Sequence, residues 1–382
     1  MIRNIPKKYI CKLCIICFFV FQCIFMVYIH IPGVYKNSNT STDIINTIST
    51  LEQETKFILM QNSRLDLVEK VCNQKNWNGS SLKDKTTVLE KSAFWLVKEH
   101  IIYCPIFKSA SSTWLKNLIN ISRSNASYKS GLRKSNKPLI EEIESVAKRP
   151  TSDEWELLWS YIKPIEMSRT ALRKSITSFI VVRHPFERLV SAYRDKLERT
   201  NKYYYQLYGI KIVKMFRNKA IEKFGEKYFA KENNYGAILK PDPNDPKARH
   251  SSSQPSFWEF VQAVISGEID DGHWRPQYKF CSVCHNFQIK TINYILKFEN
   301  MDEEALLFLK HLKLDKMFSS VSNDKLNSNR PSNLSSTELT RLYFSTLSAS
   351  DVTRLYNIYK PDFVLFNYTF QIDGLRLPIL DE

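Results

Sequence analysis

The residues best suited to chemistry fall in two short runs. In the first, Phe107, Lys108, Ser109, Ala110, Ser111, Ser112 and Thr113 follow a β-prone stretch, 100–106, and lead into helix-like spacing from Trp114 to Ile119. Small residues let backbone N–H groups approach an anion, a helix start adds partial positive charge, and Lys108 adds a full one. In the second, the apolar run 176–182 reads as a strand and is followed by Arg183, His184 and Pro185, with Ser191 further on. Pro185 suits the first turn of a helix. Arg183 at the strand end and Ser191 about two turns along can then converge on one phosphate, the arginine offering a planar fork of donors.

Strand, anion-binding loop and helix, used twice, are the grammar of an α/β domain. The chain has 382 residues, 43% of them apolar and only 9 glycines, which excludes a low-complexity or collagen-like polypeptide. Lys and Arg outnumber Asp and Glu by 55 to 39, a formal charge of +16 that favours a polyanionic partner: nucleic acid, acidic glycan or phosphorylated nucleotide.

The N-terminus narrows that choice. Residues 13–31 form an apolar run of 19 residues, broken only by Gln22 and His30, the length of a membrane-crossing helix. It lacks a small-residue cleavage site, so it reads as a retained signal-anchor. Arg3, Lys7, Lys8 and Lys12 precede it, which keeps 1–12 cytoplasmic and sends the rest across the membrane in type II orientation. Residues 32–63 resemble a stem, and 64–382 a folded lumenal domain. Nucleic acid is disfavoured in that compartment. Six Asn-x-Ser/Thr sequons, at Asn39, Asn78, Asn120, Asn125, Asn333 and Asn367, lie on the translocated side as candidate glycosylation sites. Cys72, Cys104, Cys281 and Cys284 are the lumenal cysteines, for which disulfides are favoured over haem attachment, zinc or a redox pair at Cys281-x-x-Cys284, with the pairing left open.

Taken together, the run from Tyr103 to Trp114 and the run from Arg183 to Tyr193 resemble the two nucleotide-binding motifs of Golgi carbohydrate sulfotransferases, nearest the chondroitin, dermatan and HNK-1 branch. The resemblance extends to His273, Trp274, Arg275, Pro276 and Gln277, to Cys281 and Cys284, to the block 297–300, and to Leu355, Tyr356, Tyr359, Asp362, Phe363, Phe366 and Tyr368. It implies a P-loop-like α/β sulfotransferase fold with a central parallel sheet. It also implies PAPS (3′-phosphoadenosine 5′-phosphosulfate) as co-substrate, no metal, and a glycan or proteoglycan acceptor, with GalNAc of chondroitin or dermatan foremost. Phe107, Lys108 and the small residues through Thr113 would cradle the 5′-phosphosulfate, and Arg183 and Ser191 would hold the 3′-phosphate. Phe107 stands where the family usually has Pro, and Ser109 to Thr113 replace the commoner Val-Gly/Ala-Cys/Ser-Thr/Ser-Asn.

Lys108 is then the stabiliser of the leaving phosphate. A base for the sugar hydroxyl is sought among His100, His184, His250, His273, His285 and His311; His273 is favoured, with Arg275 nearby to meet an acidic sugar and with Glu187 and Asp195 as weaker candidates. Basic and aromatic residues between 194 and 231 suit a polyanionic acceptor, or equally a helical insertion with solvated lysines. A catalytically inactive lumenal glycan-binding protein on the same fold is the alternative. An ATP-using P-loop kinase is disfavoured because no Gly-x-x-x-x-Gly-Lys-Ser/Thr occurs around Lys108.

Overall fold

Alternate residues of two short strands face opposite sides of one sheet, and each side carries its own apolar core. The computed structural model describes residues 39–74, 93–96, 101–124, 177–198, 201–225, 229–230, 250–251, 254–281, 283–284, 292–315, 334–369, 371–372 and 375–376. The expected membrane span at 13–31 and the sequons Asn78, Asn125 and Asn333 lie outside them. Among the described residues no helix is long and apolar enough to cross a membrane. The chain divides into two compact units, 1–55 and 56–382. The described part of the first is the beginning of helix α1 (Asn39–Gln74), where Ile48 and Leu51 are exposed.

In the second unit β4 (Phe229–Ala230) and β5 (His250–Ser251) form a short parallel pair of their own. The main sheet has the order β1 (Phe94–Leu96), β2 (Ile101–Cys104), β3 (Thr177–Val182), β6 (Tyr294–Lys297). Its first pair is antiparallel, and β2, β3 and β6 run parallel. Parallel strands buried on both faces need near-continuous apolar sequence, which 101–104 and 178–182 provide. Ile102, Cys104, Ile180 and Val182 pack into the core that holds helices α3 (Pro185–Tyr193), α4 (Ile210–Phe224), α5 (Phe257–Ile265) and α8 (Ala349–Leu365). Ile101, Tyr103, Phe179 and Val181 pack into the other, with Trp114 of α2 (Ser111–Ser124) and Phe308 of α6 (Met301–His311). The α/β class expected from the sequence is the class observed.

Local chemistry explains where helices begin. Pro185 occupies the first turn of α3 behind an N-cap at His184. Reciprocal capping boxes start α5 (Ser256 with Glu259), α7 (Ser336–Phe344; Ser335 with Glu338) and α8 (Ser348 with Asp351). The exposed edge of β6 is covered by α1: Ile295 N–H donates to Gln61 Oε1 (2.9 Å), and Arg64 Nη1 donates to the Ile295 carbonyl (2.6 Å) while its guanidinium grips Glu304. Packing of α1 begins earlier than 64, since Phe57 and Gln61 are already buried. Covering an edge in this way removes a template for unwanted pairing.

Among the described residues the cysteines form two bridges, Cys72–Cys284 and Cys104–Cys281. They tie the segment around 281–284 to α1 and to the end of β2, which resolves the open pairing and accounts for Cys281-x-x-Cys284 without metal, haem or redox chemistry. Non-reducing peptide mapping is expected to recover these two bridges, and a Cys281–Cys284 link would contradict the fold. The double change Cys104→Ser/Cys281→Ser should cost about 2–5 kcal/mol in denaturant unfolding.

Candidate active site

Ligands of parallel α/β sheets sit beyond the carboxyl ends of the strands. Here β2 leads into residues 105–110, β3 into Arg183 and β6 into Phe298 and Glu299. The turn after β2 is left-handed at two non-glycine positions, Lys108 (φ 68°) and Ala110 (φ 59°). Such conformations cost on the order of 1 kcal/mol and recur where function demands them. The Ala110 carbonyl accepts from Trp114 N–H (3.0 Å), the first turn of α2. Among the described residues, the N–H groups of Lys108, Ala110, Ser111, Ser112 and Thr113 have no hydrogen-bond partner, and neither does the buried Ser109 hydroxyl. Open donors at a helix start, beside a lysine, suit a phosphate or sulfate ester.

Lys108 Nζ lies 3.2 Å from Asp195 Oδ2, which Lys196 also approaches at 3.1 Å. Burial lowers the Lys108 pKa, with Asp195 opposing. Burial alone would raise the Asp195 carboxyl, but the two ammoniums overcome it and hold it at about 2. Arg183 is buried: its Nη1 donates to the Lys108 carbonyl (3.1 Å), its Nη2 to Ser336 Oγ (3.1 Å), and its guanidinium lies over Phe298. Ser191 is half-buried on α3, and no hydrogen bond joins it to Arg183.

His273 arrives from the loop after α5. Its ring stacks on Phe107 (4.8 Å), so the favoured base candidate sits against the loop that carries Lys108. Nδ1 lies 2.6 Å from Asp271 Oδ1 and 3.0 Å from the Tyr204 hydroxyl. With its Nδ1 proton donated to Asp271, the neutral ring presents the Nε2 lone pair, which has no partner among the described residues. Burial, aided by the charges of Lys196 and Lys108 and opposed by Asp271, pulls the imidazole down to about 4. Two of the other histidines are engaged elsewhere. His184 caps α3 through Nδ1 and places Nε2 on the Thr369 carbonyl (3.0 Å). His311 packs near Tyr294, His250 lies in strand β5, and His100 and His285 fall outside the described residues.

The other expected residues separate more clearly. Arg275 is bound by Asp270 (2.9 and 2.7 Å). Glu187 accepts from Thr337 (2.8 Å) and lies 3.8 Å from Arg183. Much of the basic segment is paired: Arg194 with Glu198, Lys211 with Glu268, Arg217 with Glu259 and Lys223 with Asp351. Lys202, Lys214 and Lys219 remain exposed, as does Tyr203 at 65%. Asn39 opens α1, Asn120 lies within α2, and Asn367 is exposed in a left-handed turn.

Several supporting residues carried no sequence signal of their own. Asp271 orients His273. Arg188, inside the second motif, binds three backbone carbonyls. Gln277 exchanges two hydrogen bonds with the Arg183 main chain (2.9 and 2.7 Å), and Asp362, pushed up to about 6 by burial, accepts from Gln277 N–H and Tyr278 N–H. Their common signal is a place inside or beside blocks that resemble the family.

The sequence profile of the Sulfotransferase family matches residues 91–369, well over half of the chain. Among curated proteins, the chain is similar to carbohydrate sulfotransferase 12 of Xenopus laevis (27% identity, covering 70% of this chain and 58% of the relative). It is also similar to human carbohydrate sulfotransferase 9 (24%; 88% and 66%) and to carbohydrate sulfotransferase 11 of Rattus norvegicus (30%; 51% and 48%). The match thus spans less than two thirds of these relatives' lengths. No solved structure is significantly similar.

If the left-handed turn is intrinsic to the loop, Ala110→Gly should leave stability unchanged or raise it by up to about 1 kcal/mol, and Ala110→Val should lower it by about 1 kcal/mol or more. Denaturant midpoints of the two variants check this, and a stabilising valine would contradict the turn.

Proposed function

Since the chain belongs to the sulfotransferase family, we propose that it is a carbohydrate O-sulfotransferase that moves the sulfuryl group of PAPS to a glycan hydroxyl, foremost on GalNAc of chondroitin or dermatan. We place it in the Golgi membrane as a type II protein with its folded part lumenal. The observation that carries the reading is the juxtaposition of an open N–H loop bearing Lys108 with the His273–Asp271 pair.

The residues fit the donor. The N–H groups of Lys108 and of Ala110 to Thr113 and the Ser109 hydroxyl offer unspent donors to the phosphosulfate, and Arg183 and Ser191 are assigned the 3′-phosphate. In the transfer step the acceptor hydroxyl loses its proton to His273 Nε2 while its oxygen bonds to sulfur. The bond from sulfur to the bridging phosphate oxygen breaks, and 3′-phosphoadenosine 5′-phosphate leaves with the added negative charge. Lys108 meets that charge, and the protein's other task is to hold attacking and leaving oxygens in line. Exposed Tyr203 and Lys202 lie beside Tyr204, which touches His273, and offer an aromatic face and a cation to an anionic sugar chain. The inactive glycan-binding alternative draws on the unusual residues of loop 107–113.

Thermal shift of the full-length protein separates the two. A rise in melting temperature with 3′-phosphoadenosine 5′-phosphate, absent with AMP and lost in Arg183→Ala, is expected; a folded protein with no shift favours the alternative. On desulfated chondroitin, Lys108→Ala should lower kcat on the order of 100-fold or more, and near-normal transfer would remove its role.

His273 predicts a pH profile. The base works when neutral, so kcat/KM should fall as pH drops through about 4, the value set by burial with Lys196 and Lys108 lowering it and Asp271 opposing. An acidic limb at about 6.5 would contradict that environment. His273→Ala should abolish transfer while keeping donor-product binding.

A further inference from the structure

Arg188 lies where the donor loop and the base loop meet. Its side chain is fully buried, and each donor group finds a main-chain carbonyl: Nε donates to Phe107 (2.8 Å), Nη1 to Arg275 (2.8 Å) and Nη2 to Gly272 (2.9 Å). No carboxylate bonds it. A buried cation without a directly bonded counter-charge is expensive, which is a poor arrangement for stability alone. Its three acceptors bracket the two groups assigned to chemistry: Phe107 immediately precedes Lys108, and Gly272 and Arg275 flank His273.

We propose that Arg188 is a positioning residue that fixes the donor loop and the base loop in one register, so that sulfuryl transfer depends on it more than donor binding does. The inference rests on reading His273 as the base.

Geometry supplies the reason. In a trans peptide, N–H and C=O point opposite ways. Holding the Phe107 carbonyl therefore turns the Lys108 N–H away from Arg188, towards the open side of the loop. Arg183 holds the next carbonyl, that of Lys108, in the same manner. On the other side, the Phe107 ring packs against two members of the base loop. His273 stacks on it, and a Cβ built on Gly272 would lie only 3.0 Å from it. The guanidinium and the ring thus join the same two segments at two points. Burial lowers the arginine to about 10, which leaves it charged at any lumenal pH. A lysine there keeps the charge and loses the planar three-way fork.

The test compares full-length wild type with Arg188→Lys and Gly272→Ala. It measures 3′-phosphoadenosine 5′-phosphate affinity by calorimetry, kcat on desulfated chondroitin, and His273 ionisation by NMR of labelled histidine. In Arg188→Lys, kcat should fall on the order of 100-fold, the cost of a displacement of about 1 Å. Donor-product Kd should rise at least roughly tenfold less than kcat falls, and the His273 midpoint should move up towards about 6.5. Wild-type kcat, or a loss matched by Kd with an unmoved His273 midpoint, would overturn the proposal. If Arg188→Lys does not fold, Gly272→Ala keeps the guanidinium and displaces Phe107 from the other side; it should show the same split, and unchanged kcat and midpoint would overturn the proposal. Failure of the base reading has its own signature: His273→Ala retains transfer, while Arg188→Lys still moves the His273 midpoint.

Discussion

Gln277 binds the main chain of Arg183 through both ends of its amide, continuing the ladder of β3 one residue beyond the sheet. The site depends on that contact. It fixes the segment running from Asp271 to Cys284 against the carboxyl end of the sheet, and so brings His273 to a loop that lies more than 150 residues earlier in the chain. Asp362 on α8 holds the far side of Gln277, and the Cys104–Cys281 bridge repeats the attachment covalently at β2. A buried amide with both groups satisfied is specific in a way that apolar packing is not, because a shift of one residue would leave its donor and acceptor unpaired.

Charge is arranged around this frame as closely packed cations and carboxylates. Lys108, Lys196, Arg183 and Arg188 crowd the strand ends, answered by Asp195, Glu187 and Asp271. In water such a group would matter little. Burial is the main cause of the lowered pKa of Lys108 and of His273; the neighbouring cations add to it, and Asp195 and Asp271 oppose it. An anion entering the loop would add a further counter-charge beside these cations, which suits an anionic donor.

The legible part of the sequence was local. The apolar run ending at Val182, the small residues after Ile106 and Pro185 as a helix start each depend on a few neighbouring residues, and each appears almost where expected. The remainder depends on contacts far apart in the chain. Neither the disulfide pairing nor the meeting of Arg188 with Gly272 and Arg275 has a local pattern. The segment 194–231 stays ambiguous in sequence for a related reason: the partners of Lys211, Arg217 and Lys223, which are Glu268, Glu259 and Asp351, are distant in the chain, so spacing alone separates neither a polyanion surface nor a solvated helix face from paired charges. Ser191 illustrates the limit of helix spacing, which places a residue on a face without establishing a partner.

The same segment contributes to the site through irregularity. After α3 the chain takes a π-helical turn at Arg194–Glu198 and another at Tyr205–Gly209. A π turn inserts an extra residue and rotates the downstream residues about the helix axis relative to the upstream ones. Asp195 lies inside the first and reaches Lys108; Tyr204 lies at the threshold of the second and reaches His273. Gly209 closes the second turn, where the Tyr205 ring leaves no room for a Cβ. The first wide turn ends one helical stretch, which brings Asp195 to Lys108; the extended N-cap Asn201 opens a second, which brings Tyr204 to His273 and continues through the second turn into α4, packed on α5 through Arg217 and Glu259.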